Sequence, residues 1–285
     1  MEPYHFPEKT EKLIADTKIS WSKSKEEVWM QLEKKIETDV KPVRRIISIN
    51  RPRITVAIAA GFTLLVGISA LIALYTKTIV VPAGTHSEVY LPDKSLVKLN
   101  AQSTLKYKPI AWRFSRTVKF DGEAYFDVKK GKQFNVISEK GTTVVPGTTF
   151  NIYSRNDEYQ VTCITGRVKV QNINGNQEII LAPGQQTILN TEGILTVGSD
   201  TDTEQILSWL NSKFSFTSAS LVKVFEEIGR QYGVMIEIPS DLDNTYTGTF
   251  MKDSPVENVL NLVCRPFDLK TIRKSENKYV ITRNN

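Results

Sequence analysis

One stretch limits what the rest of this chain can be. Residues Ile54–Tyr75 read ITVAIAAGFTLLVGISALIALY, 22 residues without a charge, Asn, Gln or Pro. As a helix such a run is about 33 Å long, against about 30 Å for the hydrocarbon core of a bilayer. Its apolar residues lie all round the helix, which sets it apart from an amphipathic surface helix. Core helices of soluble proteins seldom run this far without a polar face, so the pattern predicts a membrane span. It lies too deep in the chain, and is too long, for a cleaved signal peptide.

The flanks give an orientation. Lys41, Arg44, Arg45, Arg51 and Arg53 precede the run, whereas only Lys77 follows it before Lys94. Basic residues stay on the cytoplasmic side, so residues 1–53 are expected inside and 76–285 outside. The formal net charge of +6 hides this asymmetry. Residues 1–40 carry 7 Lys and 9 Asp or Glu, and the five bases of residues 41–53 all sit beside the run. There each base attracts anionic headgroups by about 1 kcal/mol. No basic face of a folded region stands out, so a direct nucleic-acid partner is not expected.

The residues offer little chemistry. Cys163 and Cys264 both have apolar neighbours, and either two buried thiols or a disulfide outside the cytoplasm fits them. His5 and His86 fall on opposite sides of the apolar run, so no metal site is expected. No nucleophile elbow, zinc motif or phosphate loop occurs, and neither enzymatic activity nor a cofactor is expected. Asp121 and Glu123 are close in sequence, but Asp121-Gly122 reads as a turn and Glu123 as the start of the next strand.

Residues 1–53 are too few to bury a sizeable core. The pattern also suggests a short helix around Glu8–Asp16. Ser24-Lys25-Glu26-Glu27 has the form of a capping box, with Ser24 as N-cap and Glu27 at N3. Val28, Trp29, Leu32 and Ile36 then fall on one helical face, with Trp21 just ahead. A stripe of this kind either closes a small hairpin or anchors a partner protein through its aromatic residues. The candidate partner-binding residues are therefore Trp21, Val28, Trp29, Leu32 and Ile36.

From Ile79 to about Asn190 the pattern shifts to period two. Strands are predicted at 88–91, 96–100, 117–120, 124–129, 134–137, 143–145, 149–154, 159–164, 167–172, 177–181 and 186–189. Turn signals such as Pro92-Asp93-Lys94, Pro146-Gly147, Asn174-Gly175-Asn176 and Pro183-Gly184 separate them. Short strands at this spacing indicate an all-β sandwich, barrel or roll over residues 79–198.

Beyond Ser199–Asp202 the pattern mixes helix and strand, over residues 203–285. A short helix is expected at Glu204–Asn211 and a strand at Lys213–Thr217. A helix striped by Leu221, Val224, Phe225, Ile228 and Tyr232 should be capped by Ser218 or Ser220 and end at Gly233. Strands come next at Val234–Ile238 and Tyr246–Met251. Ser254-Pro255-Val256-Glu257 reads as a second capping box with Pro at N1, and Leu269–Arg273 and Tyr279–Thr282 close in a hairpin. The order βαββαββ indicates a small α+β domain, helices on one small sheet.

Several of these runs together resemble a known family. Val81-Pro82-Ala83-Gly84 and Leu91-Pro92-Asp93-Lys94-Ser95-Leu96-Val97-Lys98-Leu99-Asn100 are similar to the opening of the FecR domain. Gly122-Glu123-Ala124-Tyr125-Phe126-Asp127-Val128 and Pro146-Gly147-Thr148-Thr149-Phe150-Asn151-Ile152 resemble its central runs. Gly166–Val170 and Leu181–Gln185 resemble its closing strands. Lys94 departs from the family, which usually has Gly in that turn, and Gln133 stands where Pro is common. The C-terminal pattern resembles the domain that comes after FecR domains, itself similar to the short N-terminal domains of secretins and TonB-dependent transducers.

The resemblance implies a multi-domain membrane protein with a short α-helical cytoplasmic segment, one transmembrane helix, an all-β domain and a small α+β domain. It implies an inner-membrane anti-sigma factor, N-terminus in the cytoplasm and C-terminus in the periplasm. Its implied partners are an extracytoplasmic-function sigma factor inside and the signalling domain of a TonB-dependent outer-membrane transporter outside. Regulatory proteases acting near the span would release the sigma factor. The residues alone leave a second class open, a membrane-anchored periplasmic binding or envelope scaffold protein without a transcriptional role.

Overall fold

The computed structural model describes residues 22–38, 51–190, 192–199 and 201–284. The expected helix at Glu8–Asp16, together with His5, Trp21, Lys41, Arg44 and Arg45, lies outside the described residues. The chain divides into two units, Met1–Phe62 and Thr63–Asn285.

The first unit contains α1 (Lys25–Thr38) and the start of α2 (Arg51–Leu74). The α1 N-terminus forms the expected capping box. The Ser24 amide donates to Glu27 Oε2 at 3.2 Å and the Glu27 amide donates to Ser24 Oγ at 3.3 Å. Two amides that have no partner within the helix are thereby satisfied. Arg51 and Arg53 fall in the first turn of α2. Within α2, Ile54–Ile72 is long and apolar enough to cross a membrane, and none of it is buried.

The second unit continues from α2 into a large β body: β1 (Lys77–Val81), β2 (Ser87–Tyr90), β3 (Leu96–Leu99), β4 (Ser103–Tyr107), β5 (Arg116–Asp127), β6 (Phe134–Ile137), β7 (Gly141–Val145), β8 (Thr149–Arg155), β9 (Glu158–Thr165), β10 (Val168–Asn172), β11 (Glu178–Leu181), β12 (Gln186–Leu189) and β13 (Leu195–Gly198). Pairing builds two sheets. One runs β1-β4-β5-β6-β7-β10-β11 and the other β2-β3-β5-β8-β9-β12-β13. Their inner faces share one core containing Val97, Leu99, Phe126, Phe134, Phe150 and Ile152, each fully buried.

Strand β5 belongs to both sheets, and this corrects the expected turn at Asp121-Gly122. Asp121 is the last residue paired with β4 and Gly122 the first paired with β8. The chain bends there without reversing. Gly122 has φ +116°, and a Cβ on it would lie 2.4 Å from Ser103 Oγ and 2.6 Å from Ser103 Cα. Only glycine permits this corner. The expected strands 117–120 and 124–129 are thus one element. Strands β1, β4 and β13 were not expected; the edge runs β1 and β13 carry little alternation, whereas β4, between β1 and β5, does alternate. The region begins at Lys77, two residues before Ile79. Lys94, standing where the family usually has Gly, adopts φ +66°. Asp93 braces that turn by accepting from the Ser95 amide at 3.1 Å.

The last part contains α3 (Thr203–Ile206), a 3-10 turn Ser208–Asn211, β14 (Lys213–Ser220), α4 (Leu221–Tyr232), β15 (Met235–Glu237), β16 (Thr245–Met251), α5 (Val256–Cys264), a 3-10 turn Arg265–Phe267, β17 (Leu269–Ser275) and β18 (Lys278–Arg283). The strand and helix order from β14 onward is βαββαββ. The strands form two small sheets, β14-β16 and β15-β18-β17, where one was expected. The expected helix at Glu204–Asn211 is divided between α3 and the 3-10 turn. The second capping box does not form. Pro255 is the N-cap of α5 rather than its first residue. Glu257 instead accepts from the Tyr279 hydroxyl at 2.5 Å. A second core gathers Leu221, Val224, Phe225, Ile228, Leu260 and Val263, and Gly233 ends α4 at φ +70°. Cys163 lies in the first core and Cys264 in the second, both as free buried thiols.

Candidate functional site

Two features emerge from the residues upward. The first is the α1 surface. Helical spacing carries Val28, Trp29, Leu32 and Ile36 to one side, and the structure leaves them exposed: 37%, 68%, 47% and 72% respectively. Trp29 and Ile36 present most of their surface to solvent. Large aromatic and aliphatic side chains in this state form a ready helix face for a groove on another protein.

The second is a polar seam between the β body and α4, which the sequence pattern did not bring together. Period-two alternation turns Ala124 and Phe126 into the core and puts Glu123 on the other face of β5. That face is expected to be wet, yet Glu123 is 8% exposed. Asn100 Nδ2 donates to Glu123 Oε2 at 2.7 Å, and Asn151 Nδ2 to Oε1 at 3.2 Å. From α4, Gln231 Nε2 donates to Asn100 Oδ1 at 2.6 Å and to Glu227 Oε1 at 2.8 Å. His86 Nε2 meets Gln231 Oε1 at 2.9 Å. The network thus runs from His86 on one region, through Gln231 on the other, to the buried carboxylate.

Further contacts close the seam. The Gly84 amide donates to the Arg230 carbonyl at 2.9 Å. Lys223 Nζ and Glu158 Oε1 lie 2.6 Å apart at the rim. The His86 and Trp209 rings meet edge to face at 5.5 Å. Beside the network lies a cleft of about 360 Å³ lined by Tyr153, Trp209, Glu226, Glu227 and Gln231.

The electrostatics follow from burial. Desolvation, reinforced by the Glu227 carboxylate, pushes Glu123 up to about 7; Arg155, Asn100 and Asn151 pull it back. Partial burial pushes the His86 imidazole below its usual range. Desolvation drives the Tyr153 hydroxyl up to about 12. A carboxyl group that changes charge near neutrality, placed where two regions meet, can alter how firmly they hold. Among the described residues, no group of three or more His, Cys, Asp or Glu is placed to hold a metal ion.

A sequence signal for the seam did exist. Gln231 interrupts the buried face of α4, next to Ile228 and Tyr232, and is itself 4% exposed. A polar residue on an apolar face needs a partner. The partner lies 131 residues away, beyond the reach of a local pattern.

Comparison with known proteins places the β body and the α+β region, and with them the seam residues, in a family. The model described as FecR protein matches residues 77–169, and the model described as FecR, C-terminal, matches residues 213–281. Two crystal structures of a candidate anti-sigma factor from Parabacteroides distasonis ATCC 8503 are similar to this chain, each at 26% identity and TM-score 0.66. They match over 74% and 73% of this chain, and over 100% of theirs. No curated protein matches. With both family models matching in order over more than half of its length, the chain belongs to the FecR protein family.

Proposed function

We propose that the chain is a single-span anti-sigma regulator. Residues 1–53 hold an extracytoplasmic-function sigma factor in the cytoplasm, α2 crosses the inner membrane, and residues 76–285 lie in the periplasm. The observation that carries this reading is the uncovered Trp29, Leu32 and Ile36 stripe on a capped helix, ahead of a single apolar helix, in a chain of this family. The likeness to candidate anti-sigma factors supports it. The five bases at Lys41, Arg44, Arg45, Arg51 and Arg53 set the orientation.

The α+β region receives the signalling domain of a TonB-dependent outer-membrane transporter, along a sheet edge or a helix groove. The β body relays the change of state. A transporter that favours one state by about 3 kcal/mol shifts the populations more than a hundredfold. Among the described residues no second helix is long and apolar enough to lie beside α2 in a membrane. Cutting at or beside α2 by regulatory proteases is therefore the proposed release step.

Co-purification of the full-length protein from membranes tests the holding step. A sigma factor should travel with the wild-type chain and be lost with Trp29→Ala. Equal recovery with both chains, or none with either, would count against it.

A further inference from the structure

The turn between β4 and β5 has a composition that neither core nor partner surface explains. Residues 106–120 contain Lys106, Lys108, Arg113, Arg116 and Lys119 and no carboxylate. Within them Phe114 is 86% exposed and Ile110 48% exposed. Chain disorder does not account for this exposure, because the turn is braced from inside. Residues Ala111–Arg113 form a 3-10 turn, and the Phe114 amide donates to the Ala111 carbonyl at 2.9 Å. Trp112 is buried, with its ring edge to face against Tyr107 at 5.7 Å and Phe134 at 5.8 Å. Arg116 ties the base of the turn to Asp93 and donates to the Lys132 and Lys129 carbonyls. The inward Trp112 therefore fixes Phe114 and Ile110 outward.

Register says where this turn lies. Strand β1 starts at Lys77, three residues after α2 ends at Leu74, so at most about 11 Å of chain separates them. Lys77 pairs with Tyr107, the last residue of β4. The turn starts at the next residue, Lys108, and continues past the Lys77 end of β1. The interfacial layer on each side of a hydrocarbon core is about 5–8 Å deep. A turn attached here lies within reach of that layer.

We infer that the Lys108–Ser115 turn is a membrane-contact surface, which seats Phe114 and Ile110 in the interfacial layer and sets Lys108 and Arg113 on anionic headgroups. This rests on the reading of α2 as a span. Apolar side chains ringed by bases are the usual chemistry of interfacial anchoring. The occupant is the outer face of the bilayer that α2 itself crosses, because the chain holds the turn against it. Anchored at α2 and again at this turn, the β body has a fixed stance above the membrane, and the segment Tyr75–Thr76 between them is held close to the lipid.

The test uses the full-length chain carrying one introduced cysteine, since Cys163 and Cys264 are buried. An environment-sensitive fluorophore is placed by Phe114→Cys, by Ile68→Cys within α2, or by Asp157→Cys. Asp157 lies in the β8–β9 turn, near the Gly122 corner of β5, which is about 20 Å along that strand from Arg116. The protein is reconstituted in vesicles of phosphatidylglycerol and phosphatidylcholine with brominated acyl chains. Quenching at positions 114 and 68 but not at 157 is the expected result. Lys108→Gln and Arg113→Gln should each lower the engaged-to-free ratio at 114 about fivefold. Quenching at 68 without quenching at 114 overturns the inference and leaves the span reading intact. No quenching at 68 overturns both. Quenching at 114 that ignores both substitutions and the phosphatidylglycerol content overturns the headgroup assignment.

Discussion

Gly122 sits where β5 leaves one sheet for the other, and its missing side chain is what allows the corner. With Ser103 atoms 2.4–2.6 Å from where a Cβ would stand, and φ at +116°, Gly122→Ala combines a backbone clash with a strained dihedral. The expected cost is about 2–4 kcal/mol, read from denaturant unfolding monitored on the β body. Glu123, the next residue, carries a different consequence. Its carboxyl group titrates near 7 in the folded chain against 4.5 as the ordinary value. Between those values the folded state binds more protons than the unfolded state, so this group's stabilisation is complete below about pH 4.5 and is lost as pH rises through 7. Glu123→Gln should flatten that part of the profile and raise the thermal midpoint relative to wild type above pH 7. His86, whose folded value is lowered, acts in the opposite sense, losing stability as pH falls through its ordinary range. The wild-type minus Glu123→Gln difference isolates the carboxyl contribution. An unchanged pH profile would show that Glu123 is not charged and buried in that range.

At the scale of elements, α1 shows a local rule setting where a helix starts. Its 14 residues are few for an isolated helix, so its ends count heavily. Ser24→Ala removes the Ser24 Oγ acceptor of the Glu27 amide and should cost about 1 kcal/mol of helix stability. Circular dichroism of the N-terminal segment should show the loss of helix, and sigma-factor binding should weaken about fivefold with it. The other capping box failed because partners from another part of the fold take its carboxylate. Tyr279 from β18 takes the Glu257 carboxylate, and Arg273 from β17 lies 3.2 Å from it. A buried tyrosine needs a partner for its hydroxyl, and that demand outweighed the local cap. Strands with clear alternation, such as β6 and β10, were legible. Edge strands β1 and β13 were not, because only their pairing partners define them.

At the scale of the whole molecule, two hydrophobic cores meet across a polar seam. Among the described residues the contact between them is made by side chains such as His86, Asn100 and Gln231 and by the Gly84–Arg230 backbone hydrogen bond, the two apolar clusters remaining separate. Interfaces of this kind between regions tolerate relative motion more readily than a shared core does. Removal of residues 204–285 should abolish inducer-dependent transcription while leaving the sigma factor held, because the α1 segment lies in the other unit. A reporter gene measured with and without inducer gives the first quantity, and co-purification gives the second. A response that survived the deletion would assign reception to the β body instead.

The sequence by itself determined the apolar helix, the α1 stripe, the β and α+β character of the regions beyond that helix, and the family. Each of these is written in residues close together in the chain: a run of 22 without charge, a helical spacing, an alternation, a set of ordered motifs. Only the tertiary structure decided that Asp121-Gly122 is a corner shared by two sheets, and that Glu123 is buried under α4. Only the β1–β4 register brought the Phe114 turn back beside the end of α2. The physical reason is the same in each case. Burial and register depend on which distant surface covers a residue, and alternation specifies two faces of a strand without saying what lies against either.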